Sequence, residues 1–149
     1  MIKRHFFYFT TEKAVMTIKR INPPSLFNSL QYGFSQVVET TGTRQLFLSG
    51  QVGVDHNEVT IAGGMREQAA QSVDNITRAL AAAGGSLSDV VMLRIYIRAG
   101  ADSHDEQMAI ADVLKEKFAD NAPASSWIIV SGLSLPEWLI EIEAHAVLP

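Results

Sequence analysis

The stretch from Leu139 to Val147, LIEIEAHAV, alternates without a break: Ile140, Ile142, Ala144 and Ala146 fall on one face, Glu141, Glu143 and His145 on the other. A period of two marks a β-strand buried on one side only, and a slip of one residue would bury two carboxylates and an imidazole. Val90 to Arg98 repeats the pattern, with Val91, Leu93, Ile95 and Ile97 on one face and Met92, Arg94, Tyr96 and Arg98 on the other. Both strands therefore need an apolar cover for one face, and two helical stripes supply it. Met65, Ala69, Val73, Ile76, Leu80 and Ala83 recur at spacings of three and four, and Gly84-Gly85 ends that helix. Ser103 with Glu106 forms a capping box that opens a second helix, with Ile110, Leu114 and Phe118 as core positions.

The remaining elements are shorter. Thr17 to Ile21 reads as a strand closed by Asn22-Pro23-Pro24, which cannot continue a ladder. Phe34 to Glu39 and Gln45 to Ser49 are β-rich runs around Thr-Thr-Gly-Thr, the pattern of an antiparallel hairpin. Trp127 to Val130 adds a strand before the last one. The expected order is β-β-β-α-β-α-β-β, an α/β (α+β) chain with one mixed sheet and two helices on one face. Residues 16–149 read as a single domain without repeat, low-complexity tract or linker. Two helices cover one face only, so the other displays Glu141, Glu143, His145, Arg94, Tyr96 and Arg98. That face is either solvated and laced by cross-strand ion pairs or packed against another subunit with a pocket between.

Composition narrows the function classes. Of 149 residues, 47% are hydrophobic and 19% charged, which is ordinary for a globular chain. No cysteine is present, so disulfides, thiolate metal sites and cysteine nucleophiles are excluded, in keeping with a cytoplasmic location. Met1 to Val15 (MIKRHFFYFTTEKAV) is basic and aromatic, carrying net +2 and leaving −6 on the rest from a total of −4. It lacks the apolar run and cleavage site of a secretory signal, and is expected to be a dispensable extension or a mis-called start. An acidic core with no basic, aromatic-interleaved stripe argues against nucleic acid, and no apolar run is long enough for a membrane helix. The histidines His5, His56, His104 and His145 are scattered without metal-ligand spacing, and Asp55-His56-Asn57-Glu58 reads as a polar turn. No nucleotide-binding glycine loop and no G-x-S-x-G elbow occurs.

Four runs carry a resemblance. Gly33-Phe34-Ser35-Gln36, Leu48-Ser49-Gly50-Gln51-Val52, Pro123-Ala124-Ser125-Ser126 and Ile140-Glu141-Ile142-Glu143-Ala144 stand in the order and spacing of the Rid (reactive intermediate deaminase, YjgF) family. Ala82-Ala83-Gly84 before Ser88-Asp89-Val90-Val91 extends the likeness from about Ile18 to Val147. The resemblance implies a chorismate-mutase-like (YjgF-type) fold, a homotrimer with a small-molecule metabolite in each inter-subunit cleft, and no cofactor and no metal. It also implies deamination of 2-imino or enamino acids by hydrolysis, with an arginine of P-A-R-S clamping the substrate carboxylate.

Carried over by position, the resemblance makes Glu141 the catalytic carboxylate and places Ser49, with the Gly50 N–H beside it, in the cleft. Phe34 stands where a tyrosine would be and Ser125 where the arginine would be. Ser126 and Trp127 complete the expected lining, Trp127 sharing a strand face with Ser125. Loss of a charge-assisted carboxylate pair costs about 2–5 kcal/mol, so the chain resembles an arginine-lacking subgroup with an altered pocket. Two functions stay open: an imine or enamine hydrolase, favoured by Glu141, and a non-catalytic metabolite-binding trimer, favoured by the missing arginine and tyrosine. Ribonuclease action or translation inhibition, an older association of the family, is disfavoured by the acidic core.

Overall fold

A computed structural model describes residues 15–149, so the expectations for the first fourteen residues lie outside the described part. Six strands and two helices follow in the expected order: β1 (Thr17–Ile21), β2 (Val37–Thr41), β3 (Arg44–Val52), α1 (Met65–Ala82), β4 (Val90–Arg98), α2 (His104–Phe118), β5 (Ala124–Val130) and β6 (Ile140–Leu148). Strands β3, β6, β4 and β5 form one mixed sheet in that order. β6 runs antiparallel to both of its neighbours, whereas β4 and β5 are parallel and joined by the α2 crossover.

Both helices bury their stripes on one face of this sheet. α1 contributes Met65, Ala69, Val73, Ile76 and Leu80, and α2 contributes Ile110, Val113, Leu114 and Phe118. Leu93, Ile95, Ile97, Ile140, Ile142, Ala144 and Ala146 meet them from β4 and β6. Each fully buried large aliphatic side chain contributes about 1.5–3 kcal/mol relative to exposure, which locks the register of both strands. α1 closes with Gly84 at φ 80°, its N–H reaching the Ala81 carbonyl at 3.0 Å. α2 opens on the expected box: Ser103 Oγ accepts from the Glu106 N–H at 3.3 Å, and the Glu106 carboxylate accepts from the Ser103 N–H at 3.2 Å.

Two sequence expectations need correction. β2 pairs with β1 as a separate two-stranded ribbon, and β3 pairs with β6, so no β2–β3 hairpin forms. A two-residue hairpin needs positive φ in its turn, and Gly42 has none. The chain instead runs past the end of β6, where a Cβ on Gly42 would lie 2.6 Å from Val147 Cγ1 and 2.7 Å from the Leu148 carbonyl oxygen. At the start of β4 a register shift between Val90 and Met92 buries Val90 fully and leaves Val91 half-buried. The apolar face of β4 therefore begins with Val90 and resumes at Leu93.

Two amides, Gln68 buried and Asn75 half-buried, hang the sheet on α1 beside the end of β3 and the start of β6. Gln68 accepts from the Leu139 N–H at 2.9 Å and donates to the Glu137 carbonyl at 2.9 Å. Asn75 donates to the Val52 and Val54 carbonyls at 3.2 and 2.9 Å. The end of β3 and the start of β6 are thereby held together.

Candidate functional site

Glu141 sits on the uncovered face of the sheet, between Tyr96 of β4 and Val52 of β3. Just before Val52, across from Glu143, β3 carries a bulge: Leu48 pairs with Ala144 and Gln51 with Ile142, so Ser49 and Gly50 take the space of one residue. A side chain at Gly50 would collide with the Glu141 carboxyl group, so the glycine admits the carboxylate against the β3 backbone. Glu141, Ser49 and Gly50 are thus brought together, and Ser49 is exposed there.

The rest of this face is a row of polar groups. Tyr96 Oη donates to Glu143 Oε2 at 3.2 Å, and Arg94 Nη1 lies 3.9 Å from the same oxygen. Arg94 therefore pairs with Glu143 and not with Glu141. Partial burial, then the Glu143 charge, raises the Tyr96 phenol above its ordinary value. Farther along, Phe47 stacks on His145 with ring centres 4.4 Å apart, and it is 77% exposed.

Ser125 and Trp127 lie on the opposite, helix-facing side, because they register with Leu93 and Ile95 of the core. Trp127 Nε1 donates to Ser125 Oγ at 3.2 Å. Ser126 registers with Arg94 and is exposed on the uncovered face, away from its neighbours in sequence. Beside Ser125 and Trp127 is a cavity of about 420 Å³, open to the surface and lined also by Phe27, Tyr32 and Phe34 and by His104, Gln107 and Met108 of α2.

Local geometry explains how Phe34 reaches this cavity. A short 3₁₀ turn, Ser29–Tyr32, ends at Gly33 with φ 81°. A Cβ on Gly33 would lie 2.7 Å from Leu114 Cβ, so only glycine lets the segment rest on α2. Ser35 then ties it to the start of β5: its N–H donates to the Pro123 carbonyl at 2.7 Å and its buried hydroxyl to the Ala122 carbonyl at 2.6 Å. Phe27 meets Tyr32 and Phe34 edge-on, at centroid distances of 6.3 and 6.1 Å.

Within one chain the expected site residues therefore fall into two groups. Glu141, Ser49, Gly50 and Ser126 belong to the uncovered face, and Phe34, Ser125 and Trp127 to the cavity under α2. Sequence reasoning missed Phe27, Tyr32, His104, Gln107 and Met108. The last three had a usable signal: after the Ser103 cap, their spacing of three and four puts them on one side of the first helical turns. Among the described residues no group of three His, Asp or Glu side chains is placed to hold a metal ion. No described helix is long and apolar enough to cross a membrane.

Comparison with known proteins agrees with the geometry of the fold. The 2-iminobutanoate/2-iminopropanoate deaminase of Dermatophagoides farinae is 35% identical over 117 residues, covering 77% of this chain and 85% of that protein. The human protein of the same name is 32% identical over 105 residues, covering 70% and 73%. Among solved structures, the Rid-family protein YyfB of Yersinia pestis superposes with a TM-score of 0.81 at 35% identity, over 88% of this chain and 98% of that one. TdcF of E. coli, solved with bound serine, gives a TM-score of 0.62 at 29% identity over 70% and 81%. Residues 28–148 match the family described as endoribonuclease L-PSP, and the chain is accordingly a member of that family, to which the Rid (YjgF) proteins belong.

Proposed function

We propose that the protein is a cofactor-independent imine or enamine hydrolase whose pocket departs from that of the 2-imino acid deaminases it resembles. The observation that carries this reading is the Glu141 carboxylate seated against the Ser49–Gly50 bulge. In the reaction a water oxygen bonds to the imine carbon, the C–N bond breaks, and ammonia leaves a carbonyl product. Glu141 orients the water, takes one of its protons and passes it to the nitrogen; as the carbonyl forms it takes the adduct's hydroxyl proton and passes that to the nitrogen as well, which leaves as ammonia. The Ser49 hydroxyl and the Gly50 N–H are donors for the charge that builds on the adduct.

A complete site in this reading needs a second copy of the chain. Glu141 and the Ser125 cavity lie on opposite sides of one sheet, so the carboxylate of one subunit would serve the cavity of its neighbour. The assembly we propose is a homotrimer with three inter-subunit clefts, each holding a small metabolite. The exposed Phe47 and the polar row of the uncovered face are then interface.

The experiment is the hydrolysis of 2-iminobutanoate, generated in situ by an amino-acid oxidase, with wild type and Glu141→Gln side by side and sedimentation of both. Acceleration by wild type that vanishes in Glu141→Gln supports the reading. A monomer at micromolar concentration removes the shared cleft. A second reading, a non-catalytic metabolite-binding trimer, is favoured by one observation: Ser125, in the position of the clamping arginine, already has its hydroxyl oxygen engaged by the Trp127 indole N–H. Binding without turnover of any imine would favour it.

A further inference from the structure

We propose that the group bound beside Ser125 is a flat, uncharged aromatic ring, so that the substrate class is an aryl-bearing imine or enamine and not a small 2-imino acid. This assignment rests on the hydrolase reading above for the word substrate, but the ring site itself does not. Four aromatic side chains, Phe27, Tyr32, Phe34 and Trp127, border the cavity. Its volume of about 420 Å³ falls within the range of small-molecule sites, which are mostly apolar with a few polar groups. Phe27 is 61% exposed although it packs edge-on against Tyr32 and Phe34, so the aromatic wall is formed and, among the described residues of one chain, keeps an accessible side.

Charge points the same way. Among the described residues no Asp, Glu, Lys or Arg lines the cavity. A carboxylate placed there would lose its hydration with none of their lysine or arginine side chains to pair with, an unfavourable exchange. The N-terminus of α2 does not offset this, because Ser103 caps it and Asp105 and Glu106 already occupy its first turn. Ser125 Oγ accepts from Trp127, which leaves its own O–H as the donor available to a ligand. Together these groups match an aromatic ring carrying one neutral hydrogen-bond acceptor or a ring N–H facing His104 and Gln107.

The test uses the full chain, with indole and 2-ketobutyrate as probes, titrated by calorimetry and by saturation-transfer NMR. Indole is expected to bind wild type at least about tenfold more tightly than 2-ketobutyrate, the fold that corresponds to about 1.4 kcal/mol. Phe34→Leu, which keeps bulk but removes the ring, and Trp127→Ala are each expected to weaken indole severalfold with their thermal unfolding still cooperative. Ser125→Arg, which fills the cavity and adds a cation, is expected to reverse the order of the two probes. A flat indole titration, indole affinity unchanged in both aromatic variants, or tighter 2-ketobutyrate binding by wild type would overturn the assignment. Glu141-dependent hydrolysis of 2-iminobutanoate without indole binding overturns it while the hydrolase reading stands. Ring binding lost in Phe34→Leu, with no imine hydrolysed, supports the ring site and fails the hydrolase reading.

Discussion

The Cα of Gly50 faces the carboxyl group of Glu141 with no room between them for a methyl group. The atoms in the way belong to a flexible side chain and not to backbone, so Gly50→Ala is expected to swing the carboxylate aside at little structural cost. Overpacking a tight core typically costs about 1–3 kcal/mol, and here the loss should fall at or below the bottom of that range. Any Glu141-dependent rate should drop nearly as far as in Glu141→Gln, by about a hundredfold if the carboxylate is the general base. Paired melting and rate measurements check this. A Gly50→Ala protein with undiminished rate would show that the close approach has no catalytic use.

Gln68 of α1 holds the chain where it enters β6, two residues before Glu141. Its amide oxygen accepts from the Leu139 N–H and its amide nitrogen donates to the Glu137 carbonyl. Gln68→Leu keeps the bulk but leaves both backbone groups without their partner, each at about 1–3 kcal/mol. The expected result is a loss of about 2 kcal/mol or more in denaturant unfolding, with faster hydrogen exchange at Leu139 than elsewhere in β6. Uniform exchange along β6 would place the loss in general packing instead.

The strongly periodic segments were legible as they stood. The spacing of Met65 to Leu80 and the alternation of Ile140 to Ala146 each has one way to bury its apolar side, and the structure uses it. The partner of β2 was not legible, because β-forming residues around Thr-Thr-Gly-Thr encode strands but not which edge they find. That choice depends on how closely Gly42 packs against Val147 and Leu148, residues more than a hundred positions away. The aromatic cavity escaped for a similar reason: Phe27 and Trp127 stand 100 positions apart in sequence and are brought to one cavity by the Gly33 turn and the Ser35 tether. Phe34 and Ser125 could be picked out from the family-like runs and Trp127 by alternation from Ser125, whereas which of Ser125 and Ser126 faces the helices needed the β4–β5 register.

The segment Asp55-His56-Asn57-Glu58, read from sequence as a polar turn, is a turn organised by Asp55. Its Oδ1 accepts from the Asn57 and Val59 N–H groups at 2.8 and 3.0 Å. The Val59 hydrogen bond, then the Asn57 one, holds the carboxyl below its ordinary value. A folded value lower than the unfolded one means that the group stabilises the fold above the unfolded value, near pH 4. That contribution is lost as the pH falls through the lower folded value. Asp55→Asn is expected to lower Tm at pH 7 and to flatten the fall in Tm on acidification below about pH 4. Parallel Tm profiles for the two proteins would show the hydrogen bonds to be indifferent to charge.

Ala119 ends α2 in a conformation that suits it poorly, with φ 46° and ψ −121°. A positive φ presses Cβ toward the backbone carbonyl and costs a non-glycine residue about 1–2 kcal/mol. The surroundings hold it there: three residues on, the Ala122 carbonyl receives the Ser35 hydroxyl at 2.6 Å and Arg20 Nε at 3.2 Å, so the turn must deliver that oxygen to both. Glycine removes the Cβ conflict but gains freedom in the unfolded chain, an offset of about 0.4–1 kcal/mol. The net expectation for Ala119→Gly is stabilisation by up to about 1 kcal/mol, a rise in Tm of about 2–4 °C. Ala119→Val, branched at Cβ, is expected to move Tm the opposite way and further. Thermal unfolding of the two variants beside wild type checks both signs, and a glycine variant that melts lower would mean that the turn carries no strain for glycine to release.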